Sequence, residues 1–507
     1  MVASPRAFKV PDKQARSRAS RALRWMLMVL SVAGGLGVAA HFALAIWAQN
    51  EFTQPESIVV GQVRMLNQGG TLYQSLQDYP YTVNAYMPVG YGLQSGLQKI
   101  GLSPFVAGRL ISMVALLVLG WLVYRILWLY SSDRRCAWLG AALCGCTSGL
   151  PFWGTVGQMD MLAITLALAA FHQFSRYWML RTYSLRWAIA LTVLAVFTKQ
   201  TVLAAPAAIL VALWLRDWPS RDRRLALRFA VTAGGAGVAL VLLANSLTHG
   251  SFLANTLYAN INPFAWEKIE QHGMFWLIAS GQLAIITGLG ARQLWRRDSR
   301  PVLIYLGLAF LVLMLTAGKV GSDSNYQVES TVLLVIATCL SLHALGFFDL
   351  VFTGSRSRVP LLVMPLLLHV LLNVRLEIPN LIGRYAKELH FREQTAAVLG
   401  HVGIGRVLSA DTNALIPLGR PLEVEPLIYR LLVEAGRIDP ARVTQDLAAR
   451  RFATVILYHD LDQTQPLHAE IPTLPAAQLA EIRRHYQRVA HIPGPYLGGL
   501  YLYKPKS

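Results

Sequence analysis

Charged residues are scarce in this chain. Asp, Glu, Lys and Arg make up 14% of its 507 residues, against about 25% in an ordinary soluble domain. The acidic residues are the scarcer half, with 27 Asp and Glu against 46 Lys and Arg. Hydrophobic residues reach 54% and the mean hydropathy is +0.42. This composition excludes an ordinary soluble protein, a disordered chain, a collagen and a coiled coil, and it indicates a membrane protein.

Cysteine is also rare. The four cysteines are Cys136, Cys144, Cys146 and Cys339, and each lies in or beside an apolar stretch. This placement excludes an external disulfide framework. The histidines show no metal-ligand spacing, so the sequence gives no sign of a dedicated metal site.

Long apolar stretches are abundant. A membrane-spanning helix needs about 20 mostly apolar residues, and eleven stretches approach that length or reach it. We therefore predict a polytopic α-helical membrane protein with about eleven spans. The stretches are 25–48, 108–130, 136–154, 160–176, 187–199, 200–215, 228–247, 274–291, 301–317, 330–349 and 359–375.

The arginines and lysines predict the sidedness. Basic residues concentrate on cytoplasmic loops of membrane proteins. If the segment from Arg186 to Arg216 forms two helices with Lys199 at their tip, 24 of the 31 basic residues before position 380 fall on one side. We expect an integral protein of the plasma (inner) membrane, with a cytoplasmic N-terminus and a periplasmic or extracellular C-terminal region. The net charge of +19 then reflects topology, and no nucleic-acid partner is expected.

The chain divides into three regions. Residues 1–24 form a basic cytoplasmic N-terminus, and 25–379 form the transmembrane domain with a first external loop over 49–107. We predict surface helices over about 54–68 and 90–100 in that loop. Residues 380–507 form a small extracytoplasmic α/β domain. In it we predict helices over 381–400, 443–450 and 476–489 and strands over 406–410, 454–458 and 499–503.

Short polar motifs on the predicted outer side resemble those of the GT-C membrane glycosyltransferases. The resemblance is greatest to their bacterial branch similar to dolichyl-phosphate-mannose-protein mannosyltransferases, which includes enzymes that modify lipopolysaccharide. It covers residues 20–375 in layout. The motifs are Gln54-Pro-Glu56-Ser57, Gly69-Gly-Thr-Leu-Tyr73, Tyr86-Met-Pro88, Gly108-Arg109-Leu-Ile-Ser112, Gln158-Met-Asp160, Phe197-Thr-Lys199-Gln200 and Gly321-Ser-Asp-Ser-Asn325-Tyr326-Gln-Val-Glu329.

This resemblance implies an inverting glycosyltransferase, a hexosyl- or pentosyltransferase. It would move a sugar from a polyprenyl-phosphate donor to a glycolipid, a cell-envelope glycan or a protein at the outer membrane face. Such transfer requires a base for the acceptor hydroxyl and a cation for the departing phosphate. A polytopic transporter or lipid flippase and an O-antigen ligase-like enzyme remain alternatives.

Glu56 is the candidate catalytic base. The family most often has Asp at that position, and Thr53-x-x-Glu56 also fits a helix capping box. Lys199, Arg109 and Lys319 are candidates for binding the donor phosphate. For each of these three, an interfacial side chain that anchors a helix end is the alternative.

The candidate substrate-binding residues lie at the outer ends of other spans. Asp160 equally fits a helix N-terminal acid, and Tyr326 equally fits an interfacial tyrosine. Two acids from distant loops, Glu56 and Asp160, could in principle hold Mg²⁺ or Mn²⁺. A divalent cation is therefore possible, but we expect no obligatory metal or other cofactor. The candidates are Asp160, Tyr86, Asn325, Tyr326 and Glu329.

Overall fold

The computed structural model describes residues 13–181, 184–216, 221–260, 262–349, 359–462, 471–494 and 498–507. The predicted cytoplasmic N-terminus lies outside them up to position 12. Helices dominate before residue 402. They are α1 (Lys13–Trp47), α2 (Gln54–Asn67), α3 (Pro88–Lys99), α4 (Pro104–Ser131), α5 (Arg134–Cys146), α6 (Leu150–Trp153), α7 (Asp160–Leu180), α8 (Arg186–Val196), α9 (Ala204–Trp214), α10 (Arg221–Leu247), α11 (Ser251–Leu253), α12 (Trp266–Arg296), α13 (Arg300–Ala317), α14 (Val328–Ala344) and α15 (Val359–His401).

All eleven predicted apolar stretches coincide with helical backbone. Among the described residues, seven helices are long and apolar enough to cross a membrane, namely α1, α4, α10, α12, α13, α14 with the preceding turn, and α15. The helices α5, α8 and α9 have only 13, 11 and 11 residues. The chain turns between Phe197 and Leu203, which confirms that the segment from Arg186 to Arg216 holds two helices.

The predicted surface helices of the first loop are present as α2 and α3. Pro55 and Pro88 stand in their first turns, where a missing amide hydrogen costs nothing. The capping box predicted for α2 is wrong, because the Thr53 side chain makes no cap hydrogen bond and the carboxylate of Glu56 accepts from the amide of Phe52 instead. The inner face of α2 is buried, so the helix is part of the packed structure.

The helix α15 is longer than predicted. A span over 359–375 and a separate helix over 381–400 were expected, but one 43-residue helix covers both and contains Pro365 and Pro379. It runs from the apolar core into the C-terminal region. Its backbone therefore connects the two parts of the chain directly.

The C-terminal region contains a four-stranded sheet flanked by helices. The strands β1 (Arg406–Ser409) and β2 (Phe452–Leu457) are parallel, and β4 (Gly499–Pro505) lies antiparallel between β2 and β3 (Tyr486–Pro493). The helices are α16 (Thr412–Leu415), α17 (Pro426–Glu434), α18 (Ala441–Ala448) and α19 (Ala476–His485). The first-loop residue Tyr81 forms a bridge with Val424 and stacks on Tyr429, so the loop packs into this domain.

One C-terminal prediction is wrong. The helix predicted over 476–489 ends at His485, and residues 486–489 begin β3. The strand pairs with β4 from Tyr486 opposite Pro505 to Pro493 opposite Gly499. This long-range pairing outweighs the local helical pattern. The predicted strands at 406, 454 and 499 are confirmed.

Two glycines of α12 provide a matched test of its packing against α14. A Cβ added at Gly290 would lie 2.4 Å from Cβ and 2.8 Å from Cα of Ser341, whereas one added at Gly288 meets nothing within 4 Å. We predict that Gly290→Val destabilises the protein by about 1–3 kcal/mol through overpacking, with a lower melting temperature in detergent. Gly288→Val should melt as the wild type does. Equal melting of both variants would contradict the α12–α14 contact.

Candidate active site

A cavity of about 710 Å³ lies where the first loop, the α8–α9 turn and the C-terminal domain meet. Its wall includes Asn50–Pro55 after α1, Lys199–Thr201 between α8 and α9, and Lys319–Asp323 after α13. The C-terminal domain contributes Asp411 and Glu425. Segments more than 300 residues apart therefore form one site.

Lysines concentrate at this cavity. The chain has nine lysines against 37 arginines. Four of the nine line the wall of the cavity. They are Lys199, Lys268, Lys319 and Lys387. An anion entering this space meets several ammonium groups, which are compact point charges with three donors each.

Lys199 is buried and held in place by polar and aromatic groups. Its ammonium forms an ion pair with Asp160, whose carboxylate also accepts from the Asn325 amide at 2.9 Å. The ammonium lies 4.8 Å from the ring centroid of Tyr326 and 5.6 Å from that of Tyr86. Burial opposes the charged form, but Asp160 and the two tyrosines together raise the pKa of Lys199. The lysine is therefore charged.

Lys319 faces the same cavity without a carboxylate partner. Its Nζ donates to the backbone oxygen of Asn260 at 2.7 Å and to Oδ1 of that residue at 3.2 Å. Among the described residues, no carboxylate oxygen lies within 4.0 Å of its ammonium group. Burial and the nearby charge of Lys199 lower the pKa of Lys319. An anion placed beside both lysines would relieve this repulsion.

Glu56 and Arg109, which the sequence predicts as the base and as a phosphate ligand, form an ion pair behind the cavity wall. Both side chains are fully buried. Arg109 donates from Nε to Glu56 Oε1 and from Nη2 to Glu56 Oε2, each at 2.9 Å. Its remaining N–H groups donate to the backbone oxygens of Ala45, Ala48 and Asn50. All five donors of the guanidinium are thus used.

The carboxylate of Glu56 is equally saturated. Besides Arg109, it accepts from the amide of Gly157 at 2.7 Å and from that of Phe52 at 2.8 Å. Four donors therefore occupy its two oxygens, which offer about four lone-pair sites. Neither Glu56 nor Arg109 lines the cavity. These contacts argue against Glu56 as the base and against Arg109 as a phosphate ligand.

Glu51 is the carboxylate of the same loop that does line the cavity. Its side chain is half-buried, and its Oε2 has no hydrogen-bond partner among the described residues. Burial, Asp411 and Glu56 raise the pKa of Glu51 well above its ordinary value, against the effect of Ser57. A raised pKa makes the ionised carboxylate a stronger proton acceptor.

The C-terminal domain contributes two further acids to the cavity. Burial raises the pKa of Asp411, and it raises the pKa of Glu425 to about 8 against a hydrogen bond involving Val83. Sequence reasoning missed Glu51, Asp411 and Glu425. The only signal for Glu51 was its place in the external loop five residues before Glu56. The two C-terminal acids had no signal, because tertiary contacts alone bring them to the cavity.

The predicted substrate-binding residues separate into three groups. Tyr86 and Tyr326 line the cavity. Asp160 and Asn325 lie behind Lys199 and hold its ammonium group in place. Glu329 lies elsewhere, where it accepts a hydrogen bond from the hydroxyl of Tyr305 at 2.6 Å. The structure thus brings four of the five together around Lys199.

No cluster of three or more His, Cys, Asp and Glu side chains suited to a metal ion occurs within the described part of the chain. The expectation of no obligatory metal stays a prediction.

The chain has the fold of the GT-C membrane glycosyltransferases. The sequence matches no protein-family model and no curated protein. The solved structure of ArnT from Cupriavidus metallidurans bound to undecaprenyl phosphate aligns with a TM-score of 0.61 at 13% identity, covering 92% of this chain and 97% of that one.

The archaeal oligosaccharyltransferase AglB from Archaeoglobus fulgidus, in complex with an inhibitory peptide and a dolichol-phosphate, aligns with a TM-score of 0.54 at 11% identity. That alignment covers 94% of this chain and 74% of the other. The oligosaccharyltransferase from the same organism in complex with Zn and sulfate aligns with a TM-score of 0.54 at 12% identity, covering 93% and 73%. At these identities the likeness concerns the fold.

The ion pair of Glu56 and Arg109 predicts that a substitution of Glu56 destabilises the protein, whatever its effect on catalysis. Replacing Glu56 with Gln leaves the guanidinium of Arg109 buried without its countercharge, which costs about 3–5 kcal/mol in comparable sites. We therefore expect Glu56→Gln to lower the yield of folded protein and its melting temperature. Glu51→Gln should fold normally, since it breaks no ion pair. A normally stable Glu56→Gln variant would contradict this role of the pair.

Proposed function

We propose that the protein is an inverting membrane glycosyltransferase that uses a polyprenyl-phosphate-linked sugar. The observation that carries the proposal is one cavity lined by Lys199, Lys319 and Glu51, whose Oε2 has no hydrogen-bond partner among the described residues. The likeness to the undecaprenyl-phosphate-bound structure of ArnT supports the same class of donor.

In the proposed reaction, Glu51 is the base. An acceptor hydroxyl attacks the anomeric carbon of the sugar and gives its proton to the Glu51 carboxylate. The bond between that carbon and the phosphate oxygen breaks on the opposite face, so the anomeric configuration inverts, as in inverting glycoside hydrolysis. The products are the glycosylated acceptor and polyprenyl phosphate.

The lysines serve the leaving group. Negative charge grows on the phosphate as the glycosidic bond breaks, and fixed cations in a partly buried site stabilise it. Lys199 is oriented by Asp160, and Lys319 supplies a charge that is not paired with any carboxylate of the described residues. Tyr86 and Tyr326, which flank the Lys199 ammonium, can pack against the sugar.

The acceptor is a glycolipid, a cell-envelope glycan or a protein in this proposal. We place the cavity at the outer face of the plasma (inner) membrane, with the N-terminus in the cytoplasm and the C-terminal domain periplasmic or extracellular. The basic loops that support this orientation, such as the one between α12 and α13, join the helix ends opposite to those that meet at the cavity.

Transfer can be measured with purified protein in nanodiscs. Wild-type protein, a panel of radiolabelled polyprenyl-phosphate sugars and membrane lipid extract should yield a labelled acceptor. We expect Glu51→Gln to lower the transfer rate at least a hundredfold, because general base catalysis contributes about 10²–10⁴-fold. Lys319→Met should also lower the rate, because it removes a cation from the leaving-group site.

Glu434→Gln and Lys99→Met are the matched controls, because both side chains are exposed and neither lines the cavity. Both controls should keep full activity, and full activity of Glu51→Gln would contradict the assignment of the base.

The orientation can be tested with single cysteines. Ile404 is 100% exposed at the start of the C-terminal domain, and Asp298 is exposed in the turn between α12 and α13. A membrane-impermeant maleimide added to intact cells should label Ile404→Cys but not Asp298→Cys. Permeabilised cells should label both. The reverse pattern in intact cells would contradict the proposed topology.

A further inference from the structure

The segment 48–52, which carries Glu51, follows the end of α1 at Trp47 and has no regular secondary structure. The helix α15 contacts Trp47 in three ways. The rings of Trp47 and Tyr385 stack with centroids 5.4 Å apart, and the Arg392 guanidinium lies 4.3 Å from the Trp47 ring. Arg392 Nη2 also donates to the backbone oxygen of Trp47 at 3.2 Å.

Glu388 of α15 accepts hydrogen bonds from the backbone amides of Gln49 and Asn50. Its side chain is fully buried. Both carboxylate oxygens accept from the N–H of Gln49 at 3.0 Å, and Oε2 accepts from that of Asn50 at 3.1 Å. Arg392 Nε donates to Oε1 at 2.8 Å, so the acid remains paired.

Asn413 of the C-terminal domain binds the amide of Glu51 itself, since its Oδ1 accepts from that N–H at 3.2 Å. The short helix α16 that carries Asn413 is fixed on α2. The hydroxyls of Ser57 and Thr412 are 2.5 Å apart, and Arg64 Nη2 donates to the backbone oxygen of Ile416 at 3.0 Å. The Asn413 side chain is therefore held at a fixed position relative to the loop between α1 and α2.

The residue after Glu51 is restrained as well. The Phe52 ring lies between two guanidinium groups, 3.9 Å from that of Arg109 and 4.1 Å from that of Arg384. The amide of Phe52 donates to Glu56. Four consecutive amides, 49–52, thus donate to side-chain oxygens, and three of the four donate to residues after position 380.

We propose that Asn413 and Glu388 are positioning residues for Glu51, so that the C-terminal region fixes the catalytic loop. This proposal rests on the proposed function, in which Glu51 is the base. Backbone amides buried outside regular structure need such partners. Here the partners set the direction from which the Glu51 carboxylate enters the cavity. Small displacements of a catalytic group have large effects, and about 1 Å can cost 10²-fold in rate.

The pH dependence of activity is expected to reflect the charged groups around Glu51. Asp411 of the C-terminal domain and Glu56 of α2 both raise its pKa. From α15, Glu388 and Arg384 face the neighbouring residues 49–52, and Lys387 lines the cavity. From α4, Arg109 faces Phe52 and Glu56. A base must be ionised, so activity is lost as the pH falls through the raised pKa of Glu51.

The test compares Asn413→Leu with Asn413→Asp in the full-length protein. Leu has the same branched shape at Cγ but no acceptor, whereas Asp keeps an acceptor oxygen and adds a negative charge beside Glu51. We expect Asn413→Leu to lower kcat tenfold to a hundredfold with KM for the donor changed less than threefold. We expect Asn413→Asp to restore kcat at high pH and to move the acidic limb of the pH–rate profile to higher pH.

A third variant, Glu388→Gln, keeps one acceptor oxygen and should lose less kcat than Glu388→Leu. The melting temperature of each variant shows whether a loss of activity comes from unfolding or from a displaced Glu51 in a folded protein.

The outcomes distinguish the two proposals. Wild-type kcat in a folded Asn413→Leu variant, with Glu51→Gln inactive, would overturn the positioning role and leave the base intact. Full activity of Glu51→Gln would overturn the base and the positioning role together. A change in donor KM alone would assign Asn413 to substrate binding and overturn its positioning role.

Discussion

The buried ion pair of Glu56 and Arg109 is the interaction on which the rest of the site depends. Arg109 lies near the N-terminus of α4 and donates to the backbone oxygens of Ala45 and Ala48 at the end of α1. Glu56 lies in the first turn of α2. One pair of side chains therefore fixes three helix ends at the point where the cavity opens. A buried pair adds little net stability over an apolar pair of the same size. Its value here is geometric, because it orients the loop between α1 and α2.

Some charged side chains of the site are paired with one another, whereas others are not neutralised by an ion pair. Glu56 and Arg109 saturate each other, and Asp160 saturates part of Lys199. Glu51 and Lys319 both line the cavity, and among the described residues Glu51 Oε2 has no hydrogen-bond partner and Lys319 has no carboxylate partner. They also carry opposite charges, as proton transfer and leaving-group stabilisation require.

The fold was largely predictable from the sequence, whereas the site was predictable only in part. Apolar length and basic loops located the helices, since both depend on local composition. The motifs around Lys199 and Tyr326 supply residues that line one cavity. Glu56 was predicted as the base and Glu51 was missed, because a motif carries no information on which carboxylate is saturated by hydrogen bonds. That question depended on Arg109 and Gly157, which lie 53 and 101 residues away.

The C-terminal domain shows the same limit. Its strands follow from short apolar runs, but Asp411, Asn413 and Glu425 reach the cavity only because α15 and the first loop dock the domain there. The strand β3 was missed for a related reason, since its partner β4 determines it.

The most direct test of the account is an experimental structure of the protein in nanodiscs with bound undecaprenyl phosphate. We predict that the phosphate lies within hydrogen-bond distance of Lys199 or Lys319, with the Glu51 carboxylate facing the same cavity and Glu56 still paired with Arg109. A phosphate bound outside this cavity, or a Glu56 released from Arg109 and facing the ligand, would contradict it.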